Sequence, residues 1–423
     1  MPEYYIGLDI GTSGCRACAI DEHSELIAIC SQAMPQPEIV KSRVQQDPAI
    51  WWQTVQDLLR QLLQQIEPRQ VRAIAVDGTS GTLLISDESG RPLAPALMYN
   101  DSSCLQQSRL IAELAPANCA ALGASSGLAK LMCLQQQYPQ GRYILHQADW
   151  VAGKLMDHYG VSDENNSLKS GYDLIQSAWP GWLSQLQVDI NKLPDVVKPG
   201  RVMAQIAPSM ATEFKLPTDT QIVAGTTDSI AAFIAAGVDQ PGEAVTSLGS
   251  SLVLKIISSQ PVYSAEYGIY SHRLGDHWLA GGASNTGGAV LLKYFSPEQI
   301  DTLSQQLKPA QPTGLDYYPL TKPGERFPLN DPQLPPRLTP RPEEDVIFFQ
   351  GMLEAMANIE HQGYQKLAQL GAGYPVSITT AGGGSSNLGW REIRHNILAV
   401  PVYTARHNEA CYGSALLAKQ AQQ

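Results

Sequence analysis

Tyr4-Tyr5-Ile6-Gly7-Leu8-Asp9-Ile10-Gly11-Thr12-Ser13-Gly14-Cys15-Arg16-Ala17-Cys18-Ala19-Ile20 is the stretch on which the fold turns. Tyr5, Gly7 and Asp9 alternate with Tyr4, Ile6, Leu8 and Ile10, the period-two spacing of a strand buried on one side. Gly11-Thr12-Ser13-Gly14 leads into a second strand, Cys15 to Ile20, and after the turn Asp21-Glu22-His23-Ser24 a third runs from Leu26 to Cys30. Spacing then switches to helical between Ile50 and Ile66, where Trp51, Val55, Leu58, Leu59, Leu62, Leu63 and Ile66 fall on one stripe.

The pattern recurs. Ala73 to Asp77 reads as a strand, Gly78-Thr79-Ser80-Gly81 repeats the turn, and Thr82 to Ile85 reads as the next strand before Asp87-Glu88-Ser89-Gly90. Ala244 opens a third copy through Gly249-Ser250-Ser251, and the strand Val376 to Thr380 precedes a fourth turn, Gly382-Gly383-Gly384-Ser385-Ser386-Asn387. Two related halves are therefore expected, each offering polar turns at strand ends. Lys308 to Pro342 holds ten of the 29 prolines and reads as an irregular cover. A helix is predicted from Glu343 to Leu370. The last, Glu409 to Ala421, contains Tyr412-Gly413-Ser414-Ala415, small enough for close packing.

Composition narrows the function classes. The 423 residues suggest two or three domains, and 43% apolar content with 35 glycines is ordinary for a globular chain. Lys and Arg number 29 against 40 Asp and Glu, so the net charge of −11 disfavours nucleic acid and anionic membranes as partners. No apolar run approaches the ~18 residues of a membrane span, and MPEYYIGLDI lacks the basic start of a secretory signal. A cytoplasmic or equivalent reducing compartment is expected, which suits seven cysteines without framework spacing. Cys15-x-x-Cys18 has no second metal-ligand pair, and the eight histidines show no metal spacing.

Turns of this composition present successive N–H groups and hydroxyls, and their glycines admit a phosphate closely without a lysine. Asp9, just before the first turn, is placed to hold Mg²⁺ directly or through water; a turn-capping role is the plainer alternative. Asp228, in Ala224-Gly225-Thr226-Thr227-Asp228-Ser229 before the apolar run IAAFIAAGV, falls in the first turn of a helix, whose dipole favours its ionised form. It could orient a hydroxyl and accept its proton late in phosphoryl transfer, or serve simply as a helix cap. Gly123-Ala124-Ser125-Ser126-Gly127 fits a serine-hydrolase pattern without a clear strand or partners, and no Walker or dinucleotide loop occurs.

YYIGLDIGTSGCRACAID, GRPLAPALMYNDSS, HQADWVAGKL, SDENNSLKSGYD, AGTTDSIAAFIAAG, TSLGSSLVLKI, GERFP and TAGGGSSNLGWREI resemble, in order, the FGGY carbohydrate kinases of the actin/hexokinase-like superfamily. The length and the GYD segment are most similar to the compact plant and cyanobacterial D-ribulose kinases. The resemblance implies an α/β fold of two ribonuclease-H-like lobes, with mixed sheets flanked by helices and an active-site cleft. The lobes would be a sugar-binding 1–235 and a nucleotide-binding 236–423, with a last helix of about 409–423 that can pack on the first lobe.

It also implies ATP and Mg²⁺ as cofactors and a small neutral sugar as partner. By motif, Asp228 matches the catalytic base and Asp9 the aspartate beside Mg²⁺ and the reacting hydroxyl. Gly11, Thr12 and Ser13 match the first phosphate loop, and Gly249 and Ser250 the second. Gly382, Gly383, Gly384 and Asn387 match the adenosine turn, with Trp390 flanking the base. Ser80, Asn100 and Asp101 stand where sugar contacts lie. Tyr99-Asn100-Asp101-Ser102-Ser103 lacks the Trp and Arg of the usual Trp-x-Asp-x-Arg pattern. The expected activity is transfer of the ATP γ-phosphoryl group to the terminal hydroxyl of a ketopentose, D-ribulose first. D-xylulose, another polyol, or a non-transferring sugar sensor or ATPase are the alternatives.

Overall fold

The computed structural model describes residues 2–422. The chain divides into two compact units, one running to Ala235 and resuming at Glu409, the other Ala236–Asn408.

In the first unit the opening stretch forms β1 (Tyr4–Ile10), β2 (Gly14–Ile20) and β3 (Leu26–Ala33), an antiparallel meander. Asp47 caps α1 (Pro48–Leu62) by accepting from Ala49 N–H, and Pro48 sits where a helix needs no amide donor. Its stripe of Trp51, Val55, Leu58, Leu59 and Leu62 is buried, and Trp51 meets Trp150 edge to face at 6.2 Å. β4 (Val71–Gly78), β5 (Leu83–Ser86), β6 (Val202–Gln205) and β7 (Gln221–Val223) follow. The central sheet has the order β6-β7-β4-β1-β2-β3, with β7, β4 and β1 parallel.

The second Gly-Thr-Ser-Gly turn, expected at the tip of a hairpin like the first, is not one. β4 has β1 on one side and β7 on the other, so no edge remains for the chain to fold back on. β5 leaves for a separate five-stranded sheet, where it pairs with Tyr143–His146 and Ala96–Leu97. Against that sheet lie α2 (Gly127–Gln137) and α3 (Gln147–Met156); the short α4 (Glu164–Leu168) comes next, and α5 (Asp228–Ala235) follows β7.

The second unit contains β8 (Glu243–Leu248), β9 (Leu252–Ser258), β10 (His272–Leu274), β11 (His277–Ser284), β12 (Ser377–Ala381) and β13 (Val402–Thr404). Their order is β10-β11-β9-β8-β12-β13. The run β11-β9-β8-β12-β13 reproduces β3-β2-β1-β4-β7, antiparallel and parallel pairs alike. The four polar turns are thus two pairs of equivalents: those after β1 and β8, and those after β4 and β12. The same unit carries helices α6 (Gly288–Tyr294), α7 (Asp345–Gln369) and α8 (Leu388–Leu398).

At its centre Arg394 of α8 donates to both oxygens of Glu360 of α7, at 2.6 and 2.7 Å, and to Thr380 Oγ1 at 2.6 Å. Both charged side chains are 1% exposed. The proline-rich segment 308–342 packs onto this unit through Tyr317, Tyr318, Leu320 and Phe327. Glu325 anchors it by accepting from Ser284 Oγ, Asn285 N–H and Tyr318 OH.

The last helix, α9 (Ala410–Gln420), belongs to the first unit and lies on β1. A Cβ at Gly7 would stand 1.8 Å from Cys411 O, and one at Gly413 would stand 1.9 Å from Ala231 O of α5. Helix, strand and helix therefore touch backbone to backbone, which only residues without side chains permit. Cys15 and Cys18 face opposite sides of β2, in different apolar clusters.

Candidate active site

In the first unit, chemistry gathers at the carboxyl ends of the parallel strands, the end where open α/β sheets bind ligands. Asp9 of β1 and Asp77 of β4 are directly opposite in register. The chain beyond β7 continues the alignment, with Thr227 bridging to Gly78 before Asp228 opens α5. Gly225 makes this possible, since a Cβ there would lie 1.9 Å from Val76 O. The buried polar run of α4 supports the same turn through Asn165, whose Nδ2 donates to Thr226 Oγ1 at 3.0 Å.

The three aspartates act on one another. Burial, and then the charge of Asp228, push the Asp9 carboxyl up to about 6, while a bond with Asp77 and the charge of Arg16 pull the other way. Arg16 Nη1 lies 3.5 Å from Asp9 Oδ2. Asp77 is 0% exposed, and burial followed by the Asp9 charge holds it well above the ordinary carboxylate range. Its Oδ2 accepts from Ser414 Oγ of α9 at 2.5 Å, and Oδ1 has no donor among the described residues. Both carboxyls are thus raised chiefly by burial, Asp77 being the more buried of the two.

Further buried polar atoms without partners are Ser80 Oγ and Thr227 Oγ1 on these turns and Gln147 Nε2 at the start of α3. Gln147 Oε1 accepts from both Thr79 N–H and Thr79 Oγ1, at 3.0 and 2.8 Å, which fixes the amide orientation and leaves Nε2 as a buried donor. Such atoms cost free energy unless a ligand or water completes them.

Asn100 is exposed, whereas Asp101 is fully buried. Asp101 accepts from Val44 N–H at 2.7 Å and from Ser103 N–H and Oγ at 3.2 and 2.8 Å, bonds that tie down its own loop. The Gly11 turn closes with Gly11 N–H on Gly14 O at 3.0 Å, and the Thr12 and Ser13 amides make no hydrogen bond among the described residues.

The second unit carries the other two turns. Gly249 O and Ser250 O accept from Gly288 N–H and Ala289 N–H at the start of α6, which fixes the turn after β8. Gly382 has φ +82° and lies against Leu248 O, whereas a Cβ at Gly383 would meet open space. Asn387 caps α8 through Trp390 N–H at 2.9 Å, and its Nδ2 donates to Ser304 Oγ at 2.8 Å. Trp390, expected to flank a base, is only 4% exposed. Its indole N–H donates to Leu353 O at 3.2 Å, and its ring supports the turn from beneath Gly384.

Among the described residues no three His, Cys, Asp or Glu side chains are grouped to hold a metal ion by themselves, and no helix is long and apolar enough to cross a membrane.

Residues 4–235 match the N-terminal domain model, and residues 244–421 the C-terminal domain model, of the FGGY family of carbohydrate kinases. The chain belongs to this family. A xylulose kinase of Escherichia coli K12 is 24% identical over 93% of this chain and 84% of its own length. A gluconokinase of Bacillus licheniformis is 22% identical over 99% of this chain and 87% of its own. The crystal structure of a xylulose kinase from Rhodospirillum rubrum superimposes with a TM-score of 0.87 at 22% identity, covering 100% of this chain and 90% of that one.

As an FGGY member the chain is an ATP-dependent sugar kinase. Asp77, Gln147 and Thr227 were not singled out from the sequence. Asp77 immediately precedes the second Gly-Thr-Ser-Gly, and that repetition was a usable signal.

Proposed function

We propose that the enzyme transfers the γ-phosphoryl group of Mg-ATP to the terminal hydroxyl of a ketopentose, converting D-ribulose to D-ribulose 5-phosphate. The observation that carries this reading is the set of buried, unpartnered polar atoms at Asp77, Ser80, Gln147 and Thr227 beside Asp228. Hydroxyl, amide and carboxyl groups are the partners that the hydroxyls of an uncharged sugar require.

The sugar is assigned to the first unit, with Ser80 and Asn100 on the loops that receive it and Asp101 holding the second of those loops. Asp228 orients the attacking hydroxyl and accepts its proton as transfer completes. The nucleotide is assigned to the second unit, where Gly249 and Ser250 offer backbone donors to phosphate and Gly382, Gly383, Gly384 and Asn387 hold adenosine, with Trp390 bracing that turn. Gly11, Thr12 and Ser13 supply further amides and hydroxyls for the transferring phosphoryl group.

The residues suit Mg²⁺, which is commonly held by one or two carboxylates plus substrate phosphates rather than by a protein cage. Asp9 would hold the ion, directly or through water, with Asp77 Oδ1 unpartnered behind it. When bound, the ion supplies charge neutralisation on the phosphates.

D-ribulose is favoured over D-xylulose by the small Ser80, which stands where many xylulose-using members carry a bulkier contact. The names of the relatives keep D-xylulose as the second reading. ADP release with Mg-ATP across D-ribulose, D-xylulose, L-ribulose, glycerol and a no-sugar control tests this. A dominant response to D-ribulose supports the proposal, a dominant response to another sugar replaces the substrate, and a sugar-independent trickle overturns the ketopentose assignment in favour of an untested sugar, an ATPase or a sensor.

A further inference from the structure

Lys130 is 0% exposed, and the reaction just described does not use it. It projects from α2, a helix whose first turn is fixed by Ser126 Oγ accepting from Ala129 N–H at 3.1 Å. Its ammonium donates to two backbone carbonyls, Gly81 O at 2.7 Å and Tyr99 O at 3.1 Å. Gly81 closes the turn that carries Ser80, and Tyr99 opens the loop that carries Asn100 and Asp101. One side chain therefore joins the two segments assigned to the sugar.

A second link runs beside it. Thr82 Oγ1 accepts from Tyr99 N–H at 2.9 Å and lies 2.6 Å from Thr79 Oγ1, and Thr79 is in turn held by Gln147. Both backbone groups of Tyr99 thus bind the neighbourhood of the turn, the amide through Thr82 and the carbonyl through Lys130.

Burying an ammonium is among the costlier ways to satisfy two carbonyls. Burial pushes Lys130 down to about 7, with Asp101 opposing the shift and Lys169 adding to it. A core position that only needed filling would be served better by Leu or Met. What lysine supplies is a single group that fixes the distance between two loops, and sugar recognition depends on such fixed distances.

We infer that Lys130 is a positioning residue for the sugar, setting the separation of the Gly78–Gly81 turn from the Tyr99–Ser103 loop. The inference rests on the sugar assignment above. Its test combines steady-state kinetics with backbone hydrogen exchange, which needs no substrate. Lys130→Met keeps length and bulk and removes the donors. It is expected to raise KM for the sugar about tenfold, the effect of losing one or two hydrogen bonds, while KM for ATP stays within twofold. Amides of residues 79–82 and 99–103 should exchange faster than in the wild type.

Lys130→Arg retains the charge in a different geometry and should recover part of the sugar KM; if the Met variant does not fold, this variant read against the wild type carries the test. Wild-type sugar KM together with wild-type exchange in both segments overturns the inference. So does an equal rise in both KM values, which marks a general loss of fold. If the wild type phosphorylates no sugar, the functional reading fails by itself, and exchange in the two segments still decides whether Lys130 joins them.

Discussion

Asp9 and Asp77 stand directly opposite each other on two parallel strands, and burial raises both carboxyls above the ordinary range. The pair is buried, Asp77 bonds α9 through Ser414, and Asp9 feels the charge of Asp228.

Turnover should rise with pH through about 6, where Asp9 ionises. Asp77→Asn, which mimics the protonated carboxyl, is expected to retain activity within about tenfold of wild type above pH 7, whereas Asp77→Leu should lose it. A pH–rate profile of kcat/KM checks both. A midpoint near 4 in the wild type would remove the coupling between the two carboxyls.

The same shift bears on stability. A carboxyl whose folded value is raised contributes stability below its unfolded value near 3.8, and that contribution is lost as pH rises through about 6. Asp9→Asn should therefore be more stable than the wild type at pH 8, by on the order of 3 kcal/mol, and melt at a higher temperature. It should also be inactive. Calorimetry at pH 5 and pH 8 gives the sign, and a lower melting temperature for Asp9→Asn at pH 8 refutes the argument.

Asp228→Ala should reduce sugar-dependent turnover by about 10²–10⁴ while leaving nucleotide affinity nearly intact. Stopped assays and ATP titration separate the two, and wild-type turnover would remove Asp228 from the reaction.

Gly383→Val places its side chain in open space, so the protein should fold normally and bind ATP at least tenfold more weakly. Gly382→Val instead meets Leu248 with φ at +82° and should lower the melting temperature. Calorimetry and nucleotide titration on the pair distinguish a binding surface from a structural turn.

Glu360→Leu leaves Arg394 buried and uncompensated, a change expected to cost about 3–5 kcal/mol. Denaturant unfolding of the variant measures it, and a loss below about 1 kcal/mol would show that the pair contributes little.

What was legible in the sequence was what local period and turn chemistry encode. β1 to β3, the α1 stripe, the paired polar turns and the small residues of α9 all follow from spacing within about fifteen residues. Pairing between distant strands does not. Asp77 became a site residue only when register set it against Asp9, and Gln147 only when α3 brought it under Thr79. The departure of β5 to another sheet was equally hidden, because whether β4 keeps a free edge depends on β7, some 140 residues further along. The flanking role expected of Trp390 came from its motif, whereas the burial of its ring beneath Gly384 depends on how α8 packs, which local spacing does not encode.

The seating of α9 on β1 also constrains the order of assembly. The second unit is uninterrupted in sequence and can complete itself while the chain is still being made. The first has its opening strand at residue 4 and that strand's cover at residue 410. Until residues 410–420 have been made, the Gly7 face of β1 lacks its helix and Asp77 lacks Ser414, so the carboxyl pair gains its last support only after the whole second unit has been synthesised.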